Sequence, residues 1–294
     1  MTAIVNAFSV DVEDYFQVAA LAGAVGRDTW AQRESRVERN TQVLLDLLSE
    51  KGIRGTFFVL GWIAERHPAL VKRIAAAGHE IACHGFSHQL IYTQTPAEFR
   101  AESTRAKGLL EDLLSAPVLG YRAASFSITR RSLWALDVLI DLGFAYDSSI
   151  FPIRHDRYGI PGAQACPGIV TAPSGRTLVE FPMSAASWLG MQVPVSGGGY
   201  FRLLPYGVSR AGLRQINARR GHPFTFYLHP WEVDPGQPRV RVGWLSRLRH
   251  YTNLHRCEAR LRRLLVDFRF ASMREVLERL ELLPATAERA RQRA

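Results

Sequence analysis

Five ionisable residues fall where the sequence predicts β-strands to end. Asp11 closes a β-type run from Ala3 to Val10, and His84 follows Glu80-Ile81-Ala82-Cys83. Arg122 follows Val118 to Tyr121, Asp147 follows Phe144 to Tyr146, and His229 follows Phe224 to Leu228. His84 and His88 are four apart, which sets two imidazoles on one face if the chain makes a helical turn after the strand. Imidazole nitrogens suit zinc and other late first-row ions. A histidine pair alone is a weak signal and needs a carboxylate. Asp11, Glu13 and Asp14 offer three. Acids crowded beside a buried strand repel one another unless a cation or a proton sits among them; the plainer alternative is an acidic loop that caps the following turn. Two histidines and one carboxylate leave coordination positions open for water and substrate, as a catalytic metal site requires.

His229 precedes Pro230-Trp231-Glu232. At a strand end among aromatic residues it is a candidate general acid near neutral pH, with a packed core histidine as the plainer reading. Arg122 carries a planar fork that could clamp a carboxylate or make a surface ion pair. Asp147, before Ser148-Ser149, could cap a turn or orient a catalytic partner. Tyr200 and Trp231 are candidates to stack on a ring of a bound substrate, as are Trp188 and Phe201, with core packing as the alternative for each.

The elements that must hold these residues alternate. Helices are predicted over 36–51, 67–77, 96–114 and 129–142, from apolar spacing, Pro68 near one start, and Gly52, Gly78 and Gly143 at their ends. Between them lie short apolar strands, including Gly55 to Leu60. Repeated strand–helix units argue for a parallel sheet with helices outside it. In α/β barrels the C-terminal edge of the strands is where catalytic residues gather. Residues 150–220, with Ser196-Gly197-Gly198-Gly199-Tyr200, read as long loops and short β-pieces over the barrel mouth. From Pro235 the chain is Arg-rich and mostly helical, ending in a polar tail after Pro284.

The chain has 294 residues and is 47% hydrophobic, enough for a substantial core. Its net charge is +10 and almost all of its cations are arginine, since Lys51, Lys72 and Lys107 are the only lysines. No basic block with interleaved aromatics stands out, so nucleic-acid binding is not expected. Cys83, Cys166 and Cys257 are odd in number and far apart, which excludes a disulfide framework or a paired-cysteine metal clip. The N-terminus lacks the charged start and apolar core of a signal peptide, and no run reaches the ~18 apolar residues of a membrane span. A cytoplasmic protein is expected, one that could still sit at a membrane through partners.

In order along the chain, Ser9-Val10-Asp11-Val12-Glu13-Asp14, Gly55-Thr56-Phe57-Phe58-Val59-Leu60-Gly61, His84-x-x-x-His88, Tyr121-Arg122 and Leu228-His229 resemble the motifs of the polysaccharide deacetylases of carbohydrate esterase family four. Their shared unit is the NodB homology domain. The resemblance covers roughly residues 5–235. Asp11 to Phe16, Ser196 to Arg202 and Tyr227 to Glu232 look like the subgroup associated with exosortase-type exopolysaccharide loci, which also carries a C-terminal extension. The resemblance implies a distorted, incomplete (β/α) barrel over 1–235 and an Arg-rich, mostly helical extension over 236–294 packed on it. It implies Asp11 as general base, Arg122 as its orienting residue, His229 as general acid, and Asp147 near the position that supports that acid. His84 and His88 match the metal histidines, and either Glu13 or Asp14 the metal carboxylate. Oxyanion donors would come from backbone N–H groups of 122–125 or 146–149. The implied cofactor is one divalent metal, zinc, with cobalt, nickel or manganese as alternatives. The implied reaction removes N-acetyl groups from an acetylated polysaccharide or oligosaccharide. The rivals are an amidohydrolase or O-deacetylase on a smaller substrate, and a non-catalytic carbohydrate-binding barrel.

Overall fold

A computed structural model of the chain describes residues 4–188 and 190–285. Its strands are β1 (Val5–Val12), β2 (Thr56–Val59), β3 (Glu80–Cys83), β4 (Gly120–Tyr121), β5 (Tyr146–Asp147), β6 (Gly168–Thr171), β7 (Thr177–Glu180), β8 (Ala185–Trp188), β9 (Met191–Pro194), β10 (Thr225–Leu228) and β11 (Arg269–Ala271). The α-helices are α1 (Val37–Ser49), α2 (Gly61–Arg66), α3 (Pro68–Ala76), α4 (Pro96–Leu114), α5 (Trp134–Asp141), α6 (Gly198–Leu203), α7 (Tyr206–Arg220), α8 (Trp244–Tyr251), α9 (Leu254–Asp267) and α10 (Met273–Arg279).

The main sheet runs β10-β1-β2-β3-β4-β5-β7-β6, with β11 also paired to β1. Every neighbour is parallel except β6, which turns back antiparallel on β7. The sheet curls into a half-barrel and stays open, the distorted barrel that the resemblance implies. The segment ending in Gly197 runs beside β10: Tyr227 N donates to Ser196 O, and the Thr225 N–H donates to Ser184 Oγ.

Side chains alternate across a strand, and β1 uses both faces. Phe8, Val10 and Val12 face the outer core, where they meet Val37, Leu44, Leu47 and Leu48 of α1 and Leu70, Val71 and Ile74 of α3. Burying each such side chain stabilises by about 1.5–3 kcal/mol. Ala7, Ser9 and Asp11 face inward. Ala7 joins Phe58, Ala82 and Tyr146 in an inner core closed from below by Met273, Val276 and Leu277 of α10. The first turn of α10 is tied to the strands, because Met273 N donates to Thr56 Oγ1 and Arg274 N to Glu80 Oε2. With one end of the barrel plugged, only the C-terminal edge is left to hold a site.

Two expectations change. Residues 150–220 contain the 15-residue helix α7 as well as loops and short strands. Gly207, Ser209, Gly212 and Asn217 interrupt its apolar spacing, and Gly212 is needed where α7 presses on Val195 and Ala186. The stretch after 235 contributes β11 to the sheet and α10 to the inner core, so it is woven into the barrel as far as residue 285. The expected tail at 286–294 lies outside the described residues.

Parallel pairing of β5 with β7 sets Asp147 beside Glu180. Both are buried and hydrogen-bond to each other, and Asp147 Oδ2 and Glu180 Oε2 find no other donor. Burial pushes Asp147 up to about 6 and Glu180 well above the usual carboxylate range, so the pair keeps a proton. A carboxyl whose pKa is raised on folding contributes stability that is fully present below its unfolded value and lost as pH rises through the folded value. The melting temperature should therefore fall as pH rises from about 4 through 6, where Asp147 titrates, and go on falling above that as Glu180 loses its proton. Glu180→Gln, whose amide can donate to Asp147, should flatten that fall; an unchanged pH profile of thermal melting would show that the pair holds no proton.

Candidate metal and acid–base centre

The inward row of β1 continues past the strand. Glu13 N donates to Asp11 O in a tight turn, and Asp11 and Glu13 both reach into the barrel mouth. Asp14 turns away. Its Oδ2 accepts from Ser35 Oγ and from the N–H groups of Arg36 and Val37, and its Oδ1 from Tyr15 N. It satisfies donors at the start of α1 (Val37–Ser49), a use helix N-termini have for any aspartate. Of the two candidate metal carboxylates, only Glu13 meets the histidines.

His84 and His88 come together without a helical turn. The loop after β3 bends through Gly85 (φ 74°) and His88 itself (φ 52°), which brings the rings to 5.6 Å. A left-handed histidine is uncommon, and such residues persist where the surroundings hold them. One ligand atom from each of Glu13, His84 and His88 lies within 4.8 Å of the others, and all three residues are buried. The donor set fits a divalent cation on three counts. Arg122 O faces His84 Nδ1 at 2.8 Å, so Nδ1 carries the proton and Nε2 keeps its lone pair. Burial lowers His88 to about 4, leaving it neutral. Glu13 Oε2 is buried without a hydrogen-bond donor. Burial opposes ionisation of Glu13, but the imidazoles of His88, His229 and His84 outweigh it and hold the carboxyl at about 2.

Two ionisable groups, Asp11 and His229, flank this triangle. Asp11 Oδ1 accepts from Arg122 Nη1 at 2.6 Å. The same nitrogen reaches Ser9 Oγ, Nε reaches Ser148 O, and Nη2 reaches Ser148 Oγ. The guanidinium is fully buried and lies 4.0 Å from the Phe58 ring centroid. Planar delocalised charge tolerates such a place, where a lysine would not. Asp11 Oδ2 points toward His229 Nε2, 4.0 Å away.

His229 Nε2 lies 3.0 Å from Glu13 Oε1, and Nδ1 donates to Glu232 Oε1 at 2.8 Å. Burial would lower its pKa; Glu13 and Glu232 outweigh burial and push it up to about 10. Glu232 is held at about 2 against burial by Arg202 and His229. Arg202 Nε donates to Glu232 Oε2 at 2.6 Å, and its other nitrogens reach the carbonyls of His250, Thr252 and Arg249. Sequence reasoning passed over Glu232 and Arg202. The signal for Glu232 is its spacing, three residues after His229 across a proline turn. Arg202 is placed by the glycine run. A side chain at Gly197 (φ 137°) would meet Tyr227 O at 1.9 Å, and one at Gly198 (φ 53°) would meet Tyr227 Oη at 2.5 Å. These glycines let α6 (Gly198–Leu203) pack hard against β10 and deliver Arg202 beneath His229.

Asp147 does not reach His229. Ser149 Oγ donates to its Oδ1, so it caps its own turn. The strand places it on the outer face, away from the barrel mouth. Trp231 is buried, stacked between His229 at 5.1 Å and His250 at 4.2 Å. Tyr200 sits behind Tyr158, their hydroxyls 3.4 Å apart, and Tyr158 lines the cavity instead. Phe201 is core, and Trp188 lies on the hairpin strand β8.

The cavity holds about 160 Å³ between Asp11, Glu13, His84, His88, His229 and Trp231. Ala19, His88 and Ser125 also border a wider cavity of about 400 Å³, with Phe16, Trp30 and Tyr92 in its walls. Together they form a groove leading away from the histidines.

The family model described as polysaccharide deacetylase matches residues 28–146, and a model described as a domain of unknown function (DUF3473) matches 148–278. A peptidoglycan-N-acetylglucosamine deacetylase of Bacillus cereus is 37% identical over 73 residues, 25% of this chain and 26% of that protein. A chitooligosaccharide deacetylase of Rhizobium leguminosarum bv. trifolii is 36% identical over 99 residues, 34% of this chain and 43% of that protein. The matches thus span less than half the length of these curated relatives. A crystal structure described as a polysaccharide deacetylase from Mycobacterium smegmatis shares the fold, with a TM-score of 0.60 and 22% identity over 97% of this chain and 98% of that one. The boundary between the two family models falls at β5 (Tyr146–Asp147), in the middle of the sheet, and divides the site: His84, His88 and Arg122 lie before it, and Arg202, His229 and Glu232 after it. One barrel unites both matches, and residues 28–146 of it carry the polysaccharide deacetylase (NodB) domain.

Proposed function

We propose that this protein is a metal-dependent deacetylase that removes N-acetyl groups from amino sugars of a polysaccharide or exopolysaccharide precursor. The observation that carries the reading is the buried Glu13–His84–His88 triangle with Asp11 on one side and His229 on the other. A binding protein has no use for two proton-transfer groups poised across a cation site. The groove continuing past His88 suits a substrate longer than one sugar. The exopolysaccharide assignment rests on the motif resemblance around Asp11, Ser196 and Tyr227.

Bound by Glu13, His84 and His88, a divalent cation (zinc by its donor set) supplies Lewis acidity toward the acetamide carbonyl and its attacking water. Asp11 takes the proton of that water as oxygen bonds to the carbonyl carbon. Arg122 engages Oδ1 and leaves Oδ2 for this task. Developing charge on the carbonyl oxygen meets backbone N–H groups of Ala124 and Ser125. Those of Arg122 and Ala123 are spent on Cys83 O and Ser149 Oγ, and Ser148 N donates to Tyr121 O. His229 gives the Nε2 proton to the departing nitrogen as the C–N bond breaks, and Glu232 fixes Nδ1–H so that Nε2 faces the reaction. Acetate and a free amino sugar leave.

The metal-stripped protein should bind one zinc or cobalt ion tightly, and His84→Ala/His88→Ala should bind none; isothermal titration reads the difference, and equal binding by both would remove the triangle from the mechanism. The metal-loaded protein should release acetate from N-acetylglucosamine oligomers. Asp11→Asn should retain the ion and lose turnover by about 10²-fold or more; full activity in that variant would take Asp11 out of the chemistry. Glu232→Gln should lower kcat by roughly ten-fold or more while KM stays near that of the parent. If KM moved and kcat did not, Glu232 would serve substrate binding and not His229.

A further inference from the structure

The helix α8 and the extended stretch before it form a surface that the site does not use. At 100° per residue, Trp244, Leu248 and Leu245 fall within one arc of α8 (Trp244–Tyr251). Arg247 borders the arc on one side and Arg249 on the other, while His250, the one buried residue of the helix, lies opposite. Trp244 is 77% exposed, Leu245 42% and Leu248 46%. Arg239 and Arg241 precede them, and the whole stretch 235–257 contains no Asp or Glu. Among the described residues, Arg239, Arg241, Arg247 and Arg249 make no ion pair, although Arg239 lies over the Tyr251 ring at 4.3 Å. A cavity of about 800 Å³ opens between Arg241, Trp244, Arg247 and Leu248.

A solvated arginine helix explains the cations and leaves the exposed Trp and Leu side chains unexplained. An ordinary protein-binding face explains the apolar arc but not flanks of uniform, uncompensated charge. An apolar stripe bordered by arginines on both sides is the pattern of a helix lying in a bilayer interface. Tryptophan favours the headgroup level, and guanidinium groups pair with phosphates bidentately. We propose that residues 239–251 form a docking surface for an anionic phospholipid bilayer, with Trp244, Leu245 and Leu248 entering the interface and the arginines resting on lipid phosphates. No helix among the described residues is long and apolar enough to cross a membrane, so the contact is peripheral. His250 stacks on Trp231, and Trp231 on His229, so a docked α8 sets the catalytic mouth beside the lipid surface.

Sedimentation of the full chain with vesicles tests this. Vesicles of phosphatidylcholine with phosphatidylglycerol should bind at least roughly ten-fold more tightly than phosphatidylcholine alone, and the binding should vanish near 1 M salt, where the Debye length is about 3 Å. Trp244→Ser/Leu248→Ser should weaken binding by roughly ten-fold or more with an unchanged melting temperature, because both side chains are exposed. Arg241→Gln/Arg247→Gln should abolish the preference for anionic vesicles. The proposal is overturned by absent binding, by equal binding to both vesicle types, or by undiminished binding of the Trp244→Ser/Leu248→Ser variant. A concentration-dependent dimer that this variant abolishes would also overturn it, assigning the face to a second copy of the chain.

Discussion

Everything at the barrel mouth depends on one buried guanidinium. Arg122 sits where water cannot reach it, and its charge is tolerable only because Asp11, Ser9 and two groups of Ser148 accept hydrogen bonds from its N–H groups while Phe58 lies against its face. Removing one partner from such a buried pair typically costs about 3–5 kcal/mol, because the other charge is left uncompensated. The requirement runs through the sheet. It fixes Ser9 and Asp11 on the inner face of β1, demands a flat aromatic at Phe58 on β2, and obliges the turn after β5 to offer a carbonyl and a hydroxyl. The Arg122 carbonyl meanwhile holds His84 Nδ1. One residue therefore orients the Asp11 carboxyl with its side chain and the His84 ring with its backbone.

Much of this was legible in the sequence. Strand ends marked by Asp11, His84, Arg122 and His229 converge on one mouth, and alternation along β1 puts Asp11 and Glu13 on one side. What the sequence left open was decided by turns and by partners distant along the chain. Asp14 is adjacent to Glu13, yet the start of α1 captures it, and no local pattern distinguishes a helix-capping acid from a liganding one. Asp147 has the right type and the right strand end, but its side chain follows the pleat to the outer face and meets Glu180 from β7. The partner of His229 proved to be Glu232, three residues away. His84 and His88 reach each other through left-handed backbone, which a helical-spacing argument does not anticipate.

The glycine run shows how composition can hide close packing. Read as a loop, Ser196 to Tyr200 instead contains contacts too close for any side chain, and those contacts aim Arg202 at Glu232. A second charge line results, Arg202 to Glu232 to His229, parallel to the line Arg122 to Asp11. One line arrives at the cavity from beside β10 at the end of the sheet and the other from β4 within it, and Glu13 lies between Asp11 and His229.

β1 pairs with β10 and β11 as well as with β2, and Ala7 is in register with both Thr225 and Ala271. During synthesis, the strand that carries Asp11 and leads into Glu13 is made more than two hundred residues before two of its three neighbours. Pairing across such separations is slow. Until α10 arrives, the inner face of the half-barrel has no floor, and the β10 edge of β1 lacks its ladder. A nascent chain of this protein thus waits with an apolar strand edge exposed, the condition under which chains associate wrongly. The short strands of this sheet, four residues or fewer apart from β1, limit how much edge is on offer while it waits.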